Sequence, residues 1–575
     1  MTATEIDREW WKEAVVYQIY PRSFNDASGN GVGDIPGIVE KLDYLDDLGV
    51  DVVWLSPVYE SPNADNGYDI ADYRAINEDM GTMDDFDDLL AGMHERDIKL
   101  LMDLVVNHTS DEHEWFQQSR RREEKYEDYY YWRDPADDGG PPNNWQSIFG
   151  GPAWTYDEAR EQYYLHLFDT KQPDLKWKNP DVREEIYDMM TWWLEKGIDG
   201  FRMDVVNLIS KREGLPDGEP HGLRGSEHFA NGPRIHEYFQ EMHEKVLSNY
   251  DCMTVAEMPF IEVDDAKEYL GEDGDGLDMT FHFHHADLTY GPGKWSMDWY
   301  DPHNLDEEPL NDWNLTDLKY IVSVWQEGLE GEGWNSIYLG NHDHPRALSR
   351  FGDDGEYHNE SAKVLATYLL TMRGTSYVYQ GDEIGMTSAD WHSLDEVRDV
   401  EARNQIQRLM EEYDVRFEQL RPFVRARSRD NARTPVQWSA EKNAGFTAGE
   451  PWIKVTENYE EINVEASRAD PDSVWHYYRD LIEMRHELDV LVYGDFELFL
   501  PDDEQVFTYL RSLGDEHVLV ALNVSGEQPN GHLPDWVDYD PGIEVLACNY
   551  DEPAVDHDEE RFRPMEPWEA RVYRL

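Results

Sequence analysis

Short apolar runs rich in Val, Ile, Leu and Tyr recur between residues 15 and 380, separated by longer mixed segments. Uninterrupted runs of this length are typical of strands that are buried on both faces of a parallel sheet. Apolar residues at helical spacing lie between some of the runs, over Ile38–Leu48 and Val182–Leu194. The eight predicted strands are Val15–Phe24, Val50–Val58, Ile98–Val106, Gly200–Val206, Met253–Met258, Met279–His284, Asn335–Leu339 and Ser376–Gln380.

Eight strands that alternate with helices predict an α/β fold, a (β/α)8 TIM barrel. Residues 109–174 are rich in Tyr, Trp, Pro and Gly and too long for a barrel loop, so we expect an inserted subdomain after strand 3. A helical insertion is expected over Glu383–Arg433. From Tyr493, short strands such as Val506–Arg511 and Val518–Val524 predict a C-terminal antiparallel β domain. The predicted domains are the barrel at 1–108 and 175–492, the insertion at 109–174 and a β-sandwich at 493–575.

The chain carries 123 Asp and Glu against 50 Lys and Arg, a formal net charge of −73 over 575 residues. Such a charge would repel the phosphates of a nucleic acid, so we expect no nucleic-acid partner. The acidic residues are spread over the whole length, which favours a solvated surface over a field that steers substrate. Repulsion between these charges destabilises a compact fold at low salt, and high salt screens that repulsion. The composition therefore resembles that of a cytoplasmic protein from a halophile.

Neither a leader nor a membrane anchor is expected. Met1–Trp11 lacks the apolar region of a signal peptide, and no run of about 18 apolar residues is present. The two cysteines, Cys252 and Cys548, are far apart and belong to no metal-binding motif. We therefore expect a cytoplasmic protein without a membrane partner, and the sequence leaves its oligomeric state open.

Polar and charged residues cluster where the predicted strands end. The carboxyl ends of the strands form the face of a parallel barrel on which catalytic residues lie. A random scatter of acidic residues would not select these positions so consistently. The residues are Asp103, Asn107 and His108 at the third run, Arg202 and Asp204 at the fourth, Glu257 at the fifth, and His342 and Asp343 after the seventh.

Four short segments at these positions resemble the motifs of glycoside hydrolase family 13, the α-amylase family. They are DLVVNH at 103–108, GFRMDV at 200–205, VAE at 255–257 and NHD at 341–343. Any one of them is weak evidence, whereas four in order, each at a strand end, are specific. One departure is Ala256, since the family usually has Gly before the acid.

Longer segments resemble the oligo-1,6-glucosidase and α-glucosidase branch of that family. This resemblance implies a retaining, exo-acting α-glucosidase that cuts short gluco-oligosaccharides, transfers some glucose to other sugars, and needs no organic cofactor. The segments are YQIYPRSF at 17–24, NGYDIADY at 66–73, SIFGGPAW at 147–154, YLHLF at 164–168 and RDNARTP at 429–435.

The resemblance implies that Asp204 is the nucleophile and Glu257 the general acid/base, while Asp343 binds sugar hydroxyls and favours the distorted transition state. Retaining cleavage needs two carboxyl groups about 5 Å apart. Glu257 must stay protonated near neutral pH, and neighbouring carboxylates such as Asp204 and Asp343 would raise its pKa. Arg202, two residues before Asp204 on the same strand face, would keep the nucleophile ionised.

Other motif residues are expected to hold the bound glucose. By the same resemblance, His108 and His342 would donate hydrogen bonds to its hydroxyls. Tyr68, Phe149 and Phe168 would present flat apolar faces to the sugar ring.

Asp69 and Arg429 resemble the pair that grips the non-reducing-end glucose and closes the pocket. Such closure favours exo cleavage of short chains over attack within starch. An ordinary structural ion pair is the alternative, and Arg433 lies close enough in sequence to exchange roles with Arg429.

The loop DASGNGVGD at 26–34 has oxygen ligands at alternating positions, as a calcium loop has. The resemblance implies a structural Ca²⁺ or Mg²⁺ site far from the chemistry, because the family has one in its first loop. The branch often has Asn and Asp where this chain has Ser and Asn, which lowers the negative charge here. A Gly-rich turn that caps the next helix is the alternative. The expected ligands are Asp26, Ser28, Asn30, the Val32 carbonyl and Asp34.

Val205 directly follows the expected nucleophile. Within the branch, Val here resembles enzymes that accept α-1,6 bonds, whereas Ala resembles those that prefer α-1,4 bonds. A branched side chain narrows the room for a maltose-like leaving sugar, while an α-1,6 linkage has an extra rotatable bond. The alternative is a β-branched residue that only fills a strand.

Three other functions share this fold. A sucrose-specific hydrolase or transferase would use the same carboxylates. A trehalose-phosphate hydrolase would need a cationic pocket, and the sequence shows no obvious Lys/Arg cluster. The heavy chains of amino-acid transporters have a membrane span and have lost the catalytic carboxylates, so an enzyme is favoured over a binding protein.

The charge of −73 predicts that stability rises with salt. The melting temperature should increase from low KCl into the molar range, because screening weakens the repulsion between dispersed carboxylates. Thermal unfolding at a series of KCl concentrations measures this. A melting temperature that is flat or falls would contradict the halophilic interpretation and leave the predicted enzyme activity untouched.

Overall fold

The structure is a computed structural model that describes residues 6, 8–270, 276–289, 313–529, 533, 534, 537, 543–551, 554–556 and 561–575. The first five residues, on which the expectation of no signal peptide partly depends, lie outside the described residues. Among the helices of the described part, none is both long and apolar enough to cross a bilayer.

All eight predicted barrel strands are present. Neighbouring strands pair in parallel in the order β6-β5-β4-β3-β2-β1-β8-β7, and a parallel bridge between Thr280 and Asn335 connects β6 towards β7. The predicted (β/α)8 barrel is therefore confirmed. The strands are β1 (Val15–Ile19), β2 (Val52–Leu55), β3 (Lys99–Val105), β4 (Gly200–Asp204), β5 (Met253–Glu257), β6 (Met279–Phe281), β7 (Ser336–Ile337) and β8 (Thr375–Tyr379).

Side chains of the barrel strands alternate between two apolar clusters, because successive residues of a strand point to opposite faces. Val15 and Tyr17 of β1 belong to the large cluster that includes the surrounding helices. Val16 between them packs with Trp54 of β2 and Leu101 of β3 in a second cluster. Burial on both faces explains why the strands are mostly apolar.

Some helices begin and end at residues with the expected capping chemistry. Pro180–Lys196 contains the predicted segment Val182–Leu194 and ends at the left-handed Gly197. The segment predicted over Ile38–Leu48 is instead divided into two helices, because the backbone of Lys41 leaves the helical region at φ −109° and ψ 7°. The helices include Ile35–Val39, Leu42–Leu48, Met83–His94, Glu114–Arg120, Pro180–Lys196, Ile235–Lys245, Val263–Tyr269, Leu315–Gly328, His358–Thr371 and Val474–Glu487, with Val400–Tyr413 and Phe417–Arg427 in the predicted helical insertion.

Four further sheets accompany the barrel in the described part of the chain, the first being the short antiparallel pair Tyr59–Glu60 and Asp72–Ile76. Between β3 and β4, Trp132–Arg133, Trp154–Asp157 and Gln162–Leu165 form a three-stranded antiparallel sheet. After the barrel, five antiparallel strands pair in the order β9-β10-β11-β13-β12, and the short pair Val555–Asp556 and Arg561–Phe562 packs beside them. The C-terminal antiparallel domain is confirmed, while the residue numbers of the domain boundaries stay predictions. The strands are β9 (Asp495–Phe499), β10 (Val506–Leu513), β11 (Glu516–Asn523), β12 (Glu544–Cys548) and β13 (Ala570–Arg574).

Close approach of β4 to β5 brings the predicted catalytic residues together. Gly200 pairs with Met253, and a Cβ on Gly200 would lie 2.0 Å from the Met253 carbonyl oxygen. Only glycine fits such a backbone contact. On the other side of β4, Asp103 of β3 pairs with Arg202. The registers of these three strands therefore place their ends side by side.

Candidate active site

One buried guanidinium lies at the carboxyl ends of β3, β4 and β5. Nη1 of Arg202 donates to Asp103 Oδ1 at 2.9 Å and to Asp204 Oδ1 at 2.5 Å, and Nη2 lies 2.6 Å from Glu257 Oε1. The guanidinium is 4.9 Å from the centre of the Trp54 ring. Arg202 is 1% exposed, so three carboxyl groups share one positive charge away from solvent.

The three carboxyl groups differ in how readily they lose a proton. Burial raises the pKa of Glu257 to about 8, with Arg202 opposing the shift and Asp204 and Asp343 adding to it. Burial raises the pKa of Asp204 to about 7 and that of Asp103 to about 6, and Arg202 opposes both shifts. Glu257 is therefore the last of the three to ionise, which suits a proton donor.

The backbone of Val205 fixes the orientation of Glu257. Its N–H donates to Glu257 Oε2 at 3.1 Å, so both carboxyl oxygens of Glu257 are held. Val205 has φ 36°, a left-handed conformation that is rare for a β-branched residue. Strained backbone of this kind persists where the surroundings enforce it, which is often at functional sites.

Asp343 lies in the opposite electrostatic environment. It accepts hydrogen bonds from His342 Nε2 at 3.0 Å, Arg433 Nη2 at 2.9 Å and Arg429 Nη1 at 3.2 Å. Although burial raises its pKa, His342 and the two guanidinium groups hold the pKa of Asp343 well below its usual range. Asp343 is therefore ionised at neutral pH.

The histidines predicted to contact sugar are buried and neutral. Burial lowers the pKa of His108 and of His342 to about 4. Gln18 Nε2 donates to His342 Nδ1 at 2.8 Å, which leaves the proton of the neutral ring on Nε2, facing Asp343. The ring of His342 stacks on Tyr68 with the centroids 5.1 Å apart.

The structure corrects the predicted pairing of Asp69 with Arg429. Asp69 accepts the backbone N–H groups of Ala64 at 2.9 Å and Asp65 at 3.0 Å, so it ties the loop to itself. Arg429 instead contacts Asp65 at 3.3 Å and Asp399 at 2.6 Å. The loop turns back before Tyr68, which brings Asp65 rather than Asp69 to Arg429. Asp65 lies one residue before the segment NGYDIADY, so that resemblance did not reveal it.

A cavity of about 150 Å³ opens onto these groups. Phe149 and Phe168 meet edge to face with centroids 5.4 Å apart, and the Arg429 guanidinium lies 4.8 Å from the Phe149 ring. Arg202 and His342 lie behind the walls. The predicted residues that line the cavity are Tyr68, His108, Phe149, Phe168, Asp204, Val205, Glu257, Asp343 and Arg429.

Sequence reasoning missed several side chains of this site. Gln172 Nε2 lies 3.1 Å from both Asp65 Oδ2 and His108 Nε2. Asp399 accepts from Arg429 Nε at 2.9 Å and so fixes its guanidinium. Neither residue follows a barrel strand directly, so position along the sequence gave no signal. The cavity is also lined by Asp65, Ile148, Gln172, Leu223, Pro259, Phe283, His344, Glu401, Gln405 and Arg427.

The predicted metal loop is folded around its own carboxylates. Asp26 accepts the N–H groups of Gly29 and Gly31, both at 2.7 Å. Asp34 accepts the Gly37 N–H at 2.7 Å and caps the helix Ile35–Val39, as the alternative interpretation predicts. Among the described residues, neither carboxylate has an ion-pair partner, and no group of three or more His, Cys, Asp or Glu side chains is arranged to hold a metal.

Comparison with known proteins gives the same fold and the same family. Residues 18–494 match the model of the alpha-amylase catalytic domain. The oligo-1,6-glucosidase of Parageobacillus thermoglucosidasius is 53% identical, over 99% of this chain and 100% of that protein. The trehalose-6-phosphate hydrolase of Bacillus licheniformis superposes with a TM-score of 0.91 at 46% identity, over 99% of this chain and 100% of that chain.

A variant of the isomaltulose synthase of Erwinia rhapontici, solved with sucrose, superposes with a TM-score of 0.92 at 41% identity. This match covers 99% of this chain and 100% of that chain. Three observations lead to the same family. They are the barrel with three carboxyl groups around one buried arginine, the matching catalytic-domain model, and the relatives that align over their full length. The chain is a glycoside hydrolase and belongs to the α-amylase family.

Proposed function

We propose that the protein is a retaining, exo-acting α-glucosidase that releases terminal α-linked glucose from short oligosaccharides and transfers part of it to other sugars. The observation that carries this proposal is the Arg202 centre, which contacts both Asp204 and Glu257 beside a small pocket. The oligo-1,6-glucosidase relative supports substrates of the maltose, isomaltose or sucrose type.

Each carboxyl group has a step that suits its environment. Glu257, with its pKa raised by burial, donates a proton to the glycosidic oxygen as that bond breaks. The Asp204 carboxylate attacks the anomeric carbon and forms a glycosyl ester. Ionised Glu257 then takes a proton from water, whose oxygen attacks the same carbon and releases Asp204. Asp343, held ionised by two arginines, binds ring hydroxyls and favours positive charge on the sugar.

Exo cleavage follows from the wall formed by Asp65 and Arg429. Their contact at 3.3 Å, with Asp399 fixing the guanidinium on its far side, places a charged pair against the cavity. A chain that continued past the terminal glucose would have to separate this pair. The small cavity volume of about 150 Å³ also suits a single sugar unit better than a long chain.

The cavity charges favour a neutral sugar over a phosphosugar. Arg427 and Arg429 do line the cavity, which the sequence did not indicate. Arg429 is already surrounded by Asp65, Asp343 and Asp399. The acidic groups Asp65, Asp204, Glu257, Asp343 and Glu401 line the same space, and they would repel a phosphate dianion.

The loop at 26–34 supports a second proposal, a structural Ca²⁺ or Mg²⁺. Asp26 and Asp34 are buried carboxylates without an ion-pair partner among the described residues, and oxygen ligands suit a hard cation. The metal would be held by Asp26, Ser28, Asn30, the Val32 carbonyl and Asp34. Chelation with EDTA should lower the melting temperature, and Ca²⁺ should restore it. No change on chelation would contradict the site.

Replacement of the nucleophile tests the proposed reaction. Asp204→Asn should lower kcat by several orders of magnitude with little change in substrate binding, because the amide keeps the shape and removes the attacking charge. Asp72→Asn, an exposed change, is the matched control and should keep full turnover. The test measures hydrolysis of maltose, isomaltose and sucrose, with ¹H NMR of the released anomer. Retention of a tenth of the turnover, or inversion by the wild type, would contradict the proposal.

The raised pKa of Glu257 predicts a basic limb in the pH profile. In the wild type, kcat/KM for an aryl α-glucoside should fall above pH about 8, as Glu257 loses its proton. It should also fall below pH about 7, as Asp204 gains one. In Glu257→Gln the basic limb should vanish, and maltose cleavage should suffer more than cleavage of an aryl glucoside with a good leaving group. A basic limb that persists unchanged would rule out the acid role.

Val205 lines the cavity, which supports its proposed influence on linkage. Val205→Ala should shift the ratio of kcat/KM for isomaltose to that for maltose by about tenfold towards maltose, because one or two methyl groups change discrimination only modestly. Val206→Ala, fully buried and outside the cavity, is the matched control. An unchanged ratio, or a shift towards isomaltose, would leave only the broader α-glucosidase proposal.

A further inference from the structure

A second cavity, of about 570 Å³, lies between the inserted segment and the barrel. We call it the basic cavity. It forms where Arg133 of the inserted sheet meets the segment 176–180, the loop 211–215 after β4 and the helix Ile235–Lys245. It shares no lining residue with the catalytic cavity. The proposal that follows is therefore independent of the proposed glucosidase activity.

The lining of this cavity reverses the charge balance of the chain. The whole protein has 50 Lys and Arg against 123 Asp and Glu. A solvated surface drawn from that composition would be acidic nearly everywhere, so a basic concave site stands out against it. Lining acids are limited to Asp128 and Glu213, whereas the lining bases are Arg133, Lys176, Lys178, Lys211, Arg212 and Arg234.

Four of the six cations already have carboxylate partners. Lys178 contacts Glu213 at 2.6 Å, and the buried Lys211 contacts Asp174 at 2.6 Å. Lys176 pairs with Asp128, and Arg234 with Glu237. These pairs therefore contribute little net charge to the cavity.

Two arginines are left to give the cavity its net positive charge. The side chain of Arg133 donates only to the neighbouring Trp132 carbonyl, at 2.9 Å, among the residues that the structure describes. Arg212 has no side-chain partner within the same described ranges. Both guanidinium groups therefore have donors available for an anion.

Aromatic rings give the same cavity apolar faces. Tyr131 and Tyr238 line it, with Lys211 Nζ 5.8 Å from the first ring centre and Arg234 Cζ 4.9 Å from the second. An anion joined to a small organic body would use both the cations and these rings. The volume exceeds that of a bare inorganic anion, which is consistent with such a ligand.

We propose that the basic cavity binds a phosphoryl group, either as free phosphate or as the ester of a small sugar, with Arg133 and Arg212 as its main donors. Guanidinium groups match phosphate because they donate paired, charge-assisted hydrogen bonds. The dianion would neutralise the two arginines that no carboxylate neutralises. Free phosphate and a sugar phosphate both carry the phosphoryl group that the arginines would bind. Only the sugar phosphate would also contact the tyrosine rings.

Isothermal titration calorimetry tests this, at pH 7.5 and the lowest KCl concentration at which the protein is folded. The titrants are inorganic phosphate, ribose 5-phosphate and unphosphorylated ribose. We expect one-to-one binding of a phosphorylated titrant and none of ribose. If ribose 5-phosphate binds more tightly than phosphate, the preferred ligand is a sugar phosphate ester. If the two affinities are equal, the sugar adds nothing and the preferred ligand is free phosphate.

The variants locate the binding. The double variant Arg133→Gln/Arg212→Gln should weaken it at least tenfold, because each guanidinium supplies charge-assisted hydrogen bonds. Arg133→Lys/Arg212→Lys should retain more binding than the Gln pair, which separates charge from folding. Arg121→Gln, an exposed arginine outside the cavity, is the matched control and should bind as the wild type does. Absence of stoichiometric binding, or undiminished binding by the double Gln variant, would overturn the proposal.

Discussion

The active site depends on one buried guanidinium shared among three carboxyl groups. A buried charge without a partner is strongly unfavourable, so Arg202 needs at least one ionised neighbour. One positive charge cannot stabilise three ionised carboxylates at once, so the three carboxyl groups together retain a proton. Burial raises the pKa of Glu257 to about 8 and that of Asp204 to about 7, which favours Glu257 as the group that keeps the proton. The proposed roles of Asp204 as nucleophile and Glu257 as acid are consistent with these effects of burial and charge.

Asp343 has the opposite environment, because cations rather than carboxyl groups surround it. Asp343 is one carboxylate facing Arg429, Arg433 and His342, so it stays ionised in spite of burial. The hydrogen bonds and charges around each carboxyl group therefore determine which acids keep a proton in this pocket. Asp65 and Asp399 share Arg429 with Asp343, which couples the pocket wall to the same charge network. A mutation at one of these residues would be expected to change the protonation of the others.

Much of this arrangement could be predicted because barrel geometry concentrates chemistry at strand ends. The apolar runs that contain Asp103, Asp204 and Glu257 near their ends indicated both the strands and the residues that meet there. Loops have no comparable regular geometry. Asp69 was predicted in place of Asp65 because the turn between the two residues determines which of them contacts Arg429. Asp399 comes from an insertion, and its contact with Arg429 arises only when distant segments pack.

The ends of the helices and the basic cavity also could not be predicted from the sequence. The break at Lys41 leaves the apolar spacing of Ile38–Leu48 intact, so periodicity could not reveal it. Arg133 and Arg212 are remote in sequence and line one cavity only because the inserted sheet lies near the loop that follows β4. A net charge of −73 conceals such local reversals of charge.

The protonation of Glu257 is the most direct test of the Arg202 centre. Protein labelled with ¹³C at the glutamate side-chain carboxyl can be titrated by NMR, with Glu257→Gln identifying the signal by its loss. We expect that signal to titrate near pH 8, because burial and two neighbouring acids outweigh Arg202. Titration near the ordinary glutamate value of 4.5 would show that Glu257 is ionised at neutral pH, and it would contradict the shared-proton centre.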